Sequence, residues 1–408
     1  MNSHGGTGMD ESDMSGETTM GDENLKRSAV YITGVGRYLP GAPIPFDEVD
    51  EILGPFDWTS TKKREWYQRK KNLLRSMLGI EWYHYAIEPE TGEALRRPSE
   101  MAADAARAAM ESAGIGADDI DVLIYAGWSQ DQYIGPPTST EVQRHLGIER
   151  CAEYSIHANC TAPYKALELA ASLLSSGVYR TALIASSHLI SPALVSRYFN
   201  EKKLEKNQAL LRFFLSDGAG ALVVQREPVS GRSLRIKDTF LESASLDHPR
   251  HLYNRVGSAT VDPRRAFEQG LHHISLDYRD TTLLGPPVLM AGARRLVDRV
   301  RRRQGDDALA AMRSSLRRIL VNVPTPHLIH LVEDEIRLKL RDIDLSPFDL
   351  SYSSRGHRGY TGAAAMPIAL GELFEDEKLE PGDLIVAFAV ETSQWMTAGL
   401  ILEYSDAV

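Results

Sequence analysis

Short apolar segments alternate with segments whose apolar residues recur at helical spacing along most of the chain. The clearest apolar segments lie at 122–126, 181–187 and 320–323, and each reads as a strand without exposed polar positions at its centre. Continuous apolar strands of this kind are typical of parallel sheets that are covered by helices on both faces. The pattern therefore predicts a soluble α/β fold.

The order of elements after residue 160 recurs after residue 360. Residues 161–224 predict a helix, a buried strand and then a strand that contains glycine, and residues 361–403 predict the same three elements at similar spacing. This repetition predicts duplicated halves. Two such halves would bring Cys160 and the loop before Thr361 close to a shared centre.

Cys160 lies at the junction of a predicted strand and a predicted helix. Residues 151–156 read as a short buried strand, and Thr161 and Pro163 suit the first turn of the helix that follows. Unpaired backbone N–H groups and the helix dipole favour a thiolate at such a junction. Cys160 is therefore a candidate nucleophile, and a buried cysteine that only packs is the alternative.

Composition narrows the class of protein. The 408 residues carry a formal net charge of −10, which argues against a general nucleic-acid binder. Two cysteines are too few for a disulfide framework or a structural zinc site, and no metal-ligand spacing occurs. No segment resembles a membrane span or a secretory signal, so we expect a cytoplasmic protein. Residues 1–28 read as a disordered acidic tail.

Several surface segments suggest contacts with partners or substrate. Basic helices at 62–75 and 291–303 are candidate docking faces for an anionic partner, with merely solvated faces as the alternative. Ser99 is expected to cap the helix at 99–113. Residues 226–290 read as an insertion that covers a pocket, and 128–133 are expected to set specificity together with it.

Six short motifs spread over residues 29–408 are specific in combination. They are Gly34–Pro40, Gly79–Ile80, Leu146–Ile148, Ser216–Ala221, Val323–His327 and Gly359–Ala364. With Cys160 they resemble the thiolase superfamily, and within it the ketoacyl-ACP synthase III branch. The resemblance implies the thiolase fold with duplicated α/β/α/β/α layered halves. The half at 29–228 would carry the nucleophile and the half at 229–408 the catalytic histidine.

The resemblance also implies roles for individual residues. Cys160 matches the acyl-accepting cysteine, His327 matches the histidine that handles protons, and Tyr360 stands where the family usually has a catalytic asparagine. His330 occupies a further position that is commonly asparagine. The segment 391–394 replaces the glycine-rich turn that helps to form the family's oxyanion hole. His157 is expected to be buried and structural, and His357 is a less favoured second base.

These departures favour one function over another. A decarboxylative condensation generates an enolate that the family stabilises with histidine and asparagine donors, whereas acyl transfer needs a nucleophile, an oxyanion hole and a base. The favoured hypothesis is an acyltransferase that moves an acyl group from an acyl carrier protein or CoA thioester through Cys160 to a small-molecule acceptor in specialised-metabolite biosynthesis. The alternatives are a decarboxylative or Claisen condensing enzyme and a non-catalytic partner subunit of a synthase pair. The resemblance implies a homodimer and no cofactor besides the thioester substrate.

Overall fold

A computed structural model describes residues 28–58, 60–229, 231–245, 251–257, 262–276, 278–328, 357–375 and 379–407. The predicted tail therefore lies outside the described residues, apart from Ser28. The strands are β1 (Tyr31–Tyr38), β2 (Ile44–Pro45), β3 (Trp82–Tyr83), β4 (Val122–Ala126), β5 (Ala152–Ile156), β6 (Thr181–His188), β7 (Gly218–Gln225), β8 (Gly231–Ser243), β9 (Leu252–Tyr253), β10 (Ser275–Leu276), β11 (Leu316–Asn322), β12 (Leu384–Glu391) and β13 (Met396–Ala407).

The α-helices alternate with these strands over most of the described chain. They are α1 (Val49–Ile52), α2 (Thr61–Leu78), α3 (Pro98–Ala113), α4 (Thr138–Leu146), α5 (Ala162–Ser175), α6 (Lys206–Leu210), α7 (Pro263–Gln269), α8 (Tyr278–Ser315) and α9 (Ala365–Glu375). Helix α8 consists of two helical stretches that meet at a kink at Gly305, where φ is 87°. None of the helices in the described residues is long and apolar enough to cross a membrane.

Nine of the described strands form one mixed sheet in the order β11-β12-β13-β8-β1-β7-β6-β4-β5. From β1 outward, β7 and β6 pair antiparallel, and β4 and β5 continue in parallel. From β8 outward, β13 and β12 pair antiparallel, and β11 continues in parallel. The two series have the same pattern, which confirms the predicted duplication. They meet where Tyr31 and Ile32 pair with Arg235 and Leu234.

Helices cover both faces of the sheet, as the apolar strands predict. In β4, Val122, Ile124 and Ala126 face the core that α5 and α9 complete, while Leu123 and Tyr125 face the core of α3 and α4. Helix α3 approaches β1 closely because Gly36 has no Cβ, and a Cβ there would lie 2.1 Å from a carbonyl oxygen of α3. The fold is thus a layered α/β fold, as predicted.

Three expectations about local structure are wrong. Strand β5 is an edge strand with no fully buried residue, because β4 is its only neighbour among the described strands. The proposed insertion at 226–290 is too wide, since β8 occupies the middle of the sheet and α8 begins at Tyr278. Ser99 does not cap α3. Arg97 holds that position, and the Ser99 hydroxyl donates to Asp131 instead.

Several basic residues of the two predicted basic helices form ion pairs with acidic residues of the same chain. In α2, Lys71 pairs with Asp50 and Arg75 pairs with Asp47. In α8, Arg299 pairs with Asp238 of β8 at 2.9 Å, and Arg295 and Arg303 also pair with acidic residues of this strand. These pairs fix the helices against the fold and favour the interpretation as structural and solvated faces over dedicated docking faces.

Candidate active site

The predicted nucleophile lies at the entrance of α5. Thr161 is the residue before the helix, Pro163 lies in its first turn, and Cys160 precedes both. The thiol is buried in an aromatic cluster that also contains Tyr360. The predicted strand-to-helix junction is therefore confirmed, together with the meeting of Cys160 and the segment before α9.

A buried carboxylate from the other half of the chain occupies the same helix entrance. Glu391 ends β12 and is only 2% exposed. Its Oε2 accepts hydrogen bonds from the backbone N–H groups of Asn159 (3.1 Å) and Thr161 (3.0 Å) and from the Thr161 hydroxyl (2.6 Å). Its Oε1 accepts from Ser393 (2.6 Å) and Gln394 (2.9 Å). The carboxylate thus takes up donors that a helix N-terminus otherwise offers to other anions.

This arrangement overturns the expectation that the helix entrance favours a thiolate. Burial raises the pKa of the Cys160 thiol to about 12, and the nearby Glu391 carboxylate adds to that increase. A hydrogen bond with Tyr360 and the backbone N–H of Cys160 act in the opposite direction but do not compensate. The Cys160 thiol is therefore neutral, because the negative charge at the helix entrance belongs to Glu391.

Tyr360 faces Cys160 from the turn before α9. Its backbone N–H donates to the carbonyl of Phe214 (2.7 Å) and its carbonyl accepts from the backbone N–H of Ser216 (2.9 Å), which holds the residue against the segment that leads into β7. Burial raises its pKa well above the ordinary value, so the phenol stays protonated and is able to donate. The contact with the thiol is poorly aligned, since the buried hydroxyl has no fully formed partner among the described residues.

His327 follows the strand that ends beside the nucleophile. Asn322, the last residue of β11, donates from Nδ2 to the Cys160 carbonyl at 3.2 Å. His327 comes five residues later, half-buried, in a helical turn at 326–328 that Pro326 anchors against Gly79. No hydrogen bond joins His327 to Cys160 among the described contacts. The predicted His330 lies outside the described residues.

The other two candidate histidines are exposed in the structure. His157 is not buried and lines a cavity, so the expectation that it is buried is wrong. It follows the edge strand β5 instead of a central one. His357 lies on the surface, where its Nδ1 is bonded to the Gly79 carbonyl at 2.9 Å and its φ is 49°. That contact gives His357 a role in the turn that precedes Tyr360.

Sequence reasoning missed a second polar pair next to the nucleophile. Asn159 Oδ1 and His188 Nε2 are buried without a hydrogen-bond partner among the described residues. Both lie against Gly362, whose missing Cβ would be 2.5 Å from each side chain. Burial lowers the pKa of His188 to about 4, and its Nδ1 donates to the Ser216 carbonyl, so the ring is neutral. No motif marks these residues, since β6, the loop before α5 and the α9 turn meet only in the fold.

A cavity of about 750 Å³ opens beside the loop before α5. Asn159 and Glu391 line the side nearest Cys160, and the other walls include five residues of the segment 128–133 and Leu252, Tyr253, Asn254 and Val256. Amide, hydroxyl and aromatic side chains dominate its lining, and lysine and arginine are absent from the described lining residues. The main contributors are Trp128, Ser129, Gln130, Gln132, Tyr133, Tyr198, Tyr253, Asn254, Ser393 and Gln394.

Comparison with known proteins finds similarity to the same family that the motifs resemble. The family described as 3-oxoacyl-[acyl-carrier-protein (ACP)] synthase III matches residues 154–245, which include Cys160 and the strands β6 and β7. The β-ketoacyl-[acyl-carrier-protein] synthase III of Rhodospirillum centenum is 29% identical over 360 residues, covering 88% of this chain and 94% of the relative. Over most of its length this chain is therefore similar to ketoacyl-ACP synthase III enzymes.

Solved structures agree with the fold of this synthase III-like chain. A tetronic acid condensing enzyme, AbyA1, superposes with a TM-score of 0.72 at 20% identity, covering 92% of this chain and 99% of that one. A single-residue variant of Xanthomonas campestris OleA gives a TM-score of 0.70 at 20% identity, covering 92% of this chain and 99% of that one. At this level of identity the likeness establishes the thiolase fold and leaves the reaction to be argued from the site.

Proposed function

We propose that the protein is an acyltransferase that carries an acyl group on Cys160 and passes it to a polar small-molecule acceptor. The observation that carries the proposal is the contact of Cys160 with Tyr360, next to Asn159 and Glu391, which line a large cavity of mixed polar and apolar character. The donor is an acyl carrier protein or CoA thioester, as the family relationship suggests. A homodimer and a role in specialised metabolism belong to the same proposal.

The proposed reaction has two steps. In the first, the Cys160 sulfur attacks the donor carbonyl, the donor C–S bond breaks, and the thiol proton goes to the departing thiolate. In the second, an acceptor oxygen or nitrogen attacks the acyl-Cys160 carbonyl and the new C–S bond breaks. His327 takes the acceptor proton and returns it to the Cys160 sulfur. The first step needs deprotonation of a thiol whose pKa is raised to about 12, so acylation is expected to depend strongly on pH.

The chemistry of the cavity supports a neutral or cationic acceptor. Its amides and hydroxyls offer paired donors and acceptors, its aromatic rings offer flat apolar faces, and Glu391 lies at the inner border. A phosphate-bearing group would find no lysine or arginine among the described lining residues. An alcohol or amine acceptor fits this lining better than the phosphate end of a donor does.

A carbon–carbon condensation is the second candidate, because the curated relative is a synthase and AbyA1 is a condensing enzyme by its title. The site argues against condensation. Tyr360 offers one hydroxyl, which contacts the thiol, whereas an enolate would need a donor such as an amide. Glu391 further places a carboxylate where enolate charge would be unfavourable.

A malonyl thioester labelled at its free carboxyl, supplied together with an unlabelled acyl-CoA primer, separates the two candidates. Acyl transfer retains this carboxyl in the enzyme adduct and in the product, whereas decarboxylative condensation releases it as carbon dioxide. We expect labelled product with a panel of alcohols and amines, and little labelled carbon dioxide. Stoichiometric release of labelled carbon dioxide with formation of a 3-oxoacyl product would refute the transferase proposal and establish condensation.

A further inference from the structure

We propose that Glu391 is a positioning residue that fixes Cys160 at the entrance of α5 and sets its protonation state. This inference depends on the proposed function only in taking Cys160 as the nucleophile. Glu391 begins the segment 391–394, which stands where the family resemblance implies a glycine-rich turn. Glu391 also lines the cavity, where a bound substrate would contact it.

The geometry of the contact supports a positioning role. Glu391 binds the backbone N–H groups on both sides of the nucleophile, at Asn159 and Thr161, and leaves Cys160 between them. The Thr161 hydroxyl adds a third bond at 2.6 Å. These contacts link β12 of the second half to the helix entrance of the first half. Movement of the Cys160 backbone relative to β12 would therefore require at least one of these bonds to break.

The charges around the thiol make Glu391 the dominant electrostatic influence. From α5, Tyr164 faces Cys160, and from the turn before α9, Tyr360 does so. Burial raises the pKa of both phenols, so both are neutral at physiological pH. His188 of β6, which lies against Asn159 through Gly362, is neutral as well.

Two histidines are the other titratable groups near this part of the structure. His327 follows β11, whose last residue contacts the Cys160 carbonyl, and His157 lies on the outer side of the cavity. Among the described residues that face the thiol, Glu391 is the acidic one. A second negative charge at Cys160 is disfavoured by this carboxylate, and removal of the charge should make the thiolate easier to form.

The decisive experiment compares the pH dependence of Cys160 alkylation in the wild type and in Glu391→Gln. Glutamine keeps the size of the side chain and an oxygen that accepts from Asn159 and Thr161, but it removes the charge. Iodoacetamide is a neutral probe, and peptide mass spectrometry separates Cys160 from Cys151. We expect the pH midpoint of Cys160 alkylation to be lower in E391Q than in the wild type by about one pH unit or more. At any pH below both midpoints, E391Q should then be alkylated at least about tenfold faster than the wild type.

Ser393→Ala is the matched control, because it removes one hydrogen bond to the carboxylate and keeps the charge. Its midpoint should equal that of the wild type. An E391Q midpoint that stays unchanged or rises, in a protein with unchanged thermal unfolding, would overturn the proposal and leave Glu391 a purely structural link.

Glu391→Asp keeps the test decisive if E391Q fails to fold. Aspartate retains the charge but withdraws it from the helix entrance, so the midpoint should fall by less than in E391Q, and an unchanged midpoint would overturn the proposal. The assay contains no acyl donor. Failure to form an acyl enzyme therefore refutes the proposed function without bearing on the midpoint shift, and the two failures are distinguishable.

Discussion

Replacement of Tyr360 by phenylalanine should affect stability and reactivity in opposite directions. The hydroxyl is buried without a fully formed partner among the described residues, so its removal costs no complete hydrogen bond. A buried, poorly satisfied hydroxyl is unfavourable by about 1–3 kcal/mol. We therefore expect Tyr360→Phe to unfold in urea with a free energy equal to that of the wild type or up to about 2 kcal/mol higher.

The same substitution should make the nucleophile less reactive. The hydroxyl lowers the pKa of the Cys160 thiol, against the larger effect of burial and that of Glu391. A hydrogen bond to a charged group contributes about 1.5–3 kcal/mol, and about 1.4 kcal/mol corresponds to a factor of ten in the thiolate population. Below the titration of the thiol, iodoacetamide should therefore alkylate Cys160 about tenfold or more slowly in Y360F.

Tyr164→Phe provides a matched control for this reasoning. Tyr164 lies on α5 beside Cys160 and has an equally buried, unpartnered hydroxyl among the described residues, but no hydrogen bond of it lowers the pKa of the thiol. Y164F should resemble Y360F in stability and the wild type in alkylation. The reasoning would be refuted if Y360F lost more than about 1 kcal/mol of stability, or if its thiol reacted as fast as that of the wild type.

Three further predictions concern the frame around the site. Arg212 is 1% exposed and donates to Asp50 at 3.0 Å and to two backbone carbonyls. Arg212→Met should therefore lower the free energy of unfolding, measured in urea, by about 3–5 kcal/mol. A loss below about 1 kcal/mol would contradict this prediction. Although burial raises the pKa of Asp50, side-chain hydrogen bonds and the Arg212 charge lower it overall, so its contribution holds above about pH 4 and is lost as the pH falls through the lowered pKa. Urea midpoints of Asp50→Asn should accordingly change less than those of the wild type below about pH 4. Gly362→Ala should lower the free energy of unfolding by more than about 2 kcal/mol and abolish acylation, because φ is +52° and the new Cβ would clash with Asn159 and His188. Gly114→Ala is the control, with φ of +68° and open space around the new Cβ. It should lower the free energy of unfolding by about 1 kcal/mol and leave acylation intact.

The duplicated fold could be predicted because its signals are local. The apolar strands β4 and β6 and the helix α5 are evident from spacing within a few residues of each other, and the order of elements then repeats after residue 360. The central strand β8 was missed because its sequence is polar. Asp238 and Glu242 on this strand pair with arginines of α8, so charged residues interrupt the apolar pattern although Leu234 and Phe240 are buried.

The site was predicted in part for the same reason. Cys160 and the turn with Tyr360 are marked by motifs, and the fold brings them together. The protonation state of the thiol could not be predicted, because it depends on a carboxylate that is 230 residues away in the sequence from Thr161, its bonding partner. The pairing of Asn159 with His188 could not be predicted either, because only the fold brings their segments together at Gly362.

The most direct test of the account is the intact mass of the protein after reaction with a panel of acyl-CoA and acyl carrier protein thioesters. We expect one acyl adduct on the wild type and on Cys151→Ala, which removes the other cysteine, and none on Cys160→Ala. The adduct mass would identify the acyl group. An adduct that persists on C160A, or a wild type that stays unmodified by every donor across the accessible pH range, would contradict the claim that Cys160 carries the acyl group. The latter result would favour a non-catalytic partner subunit with an inert thiol.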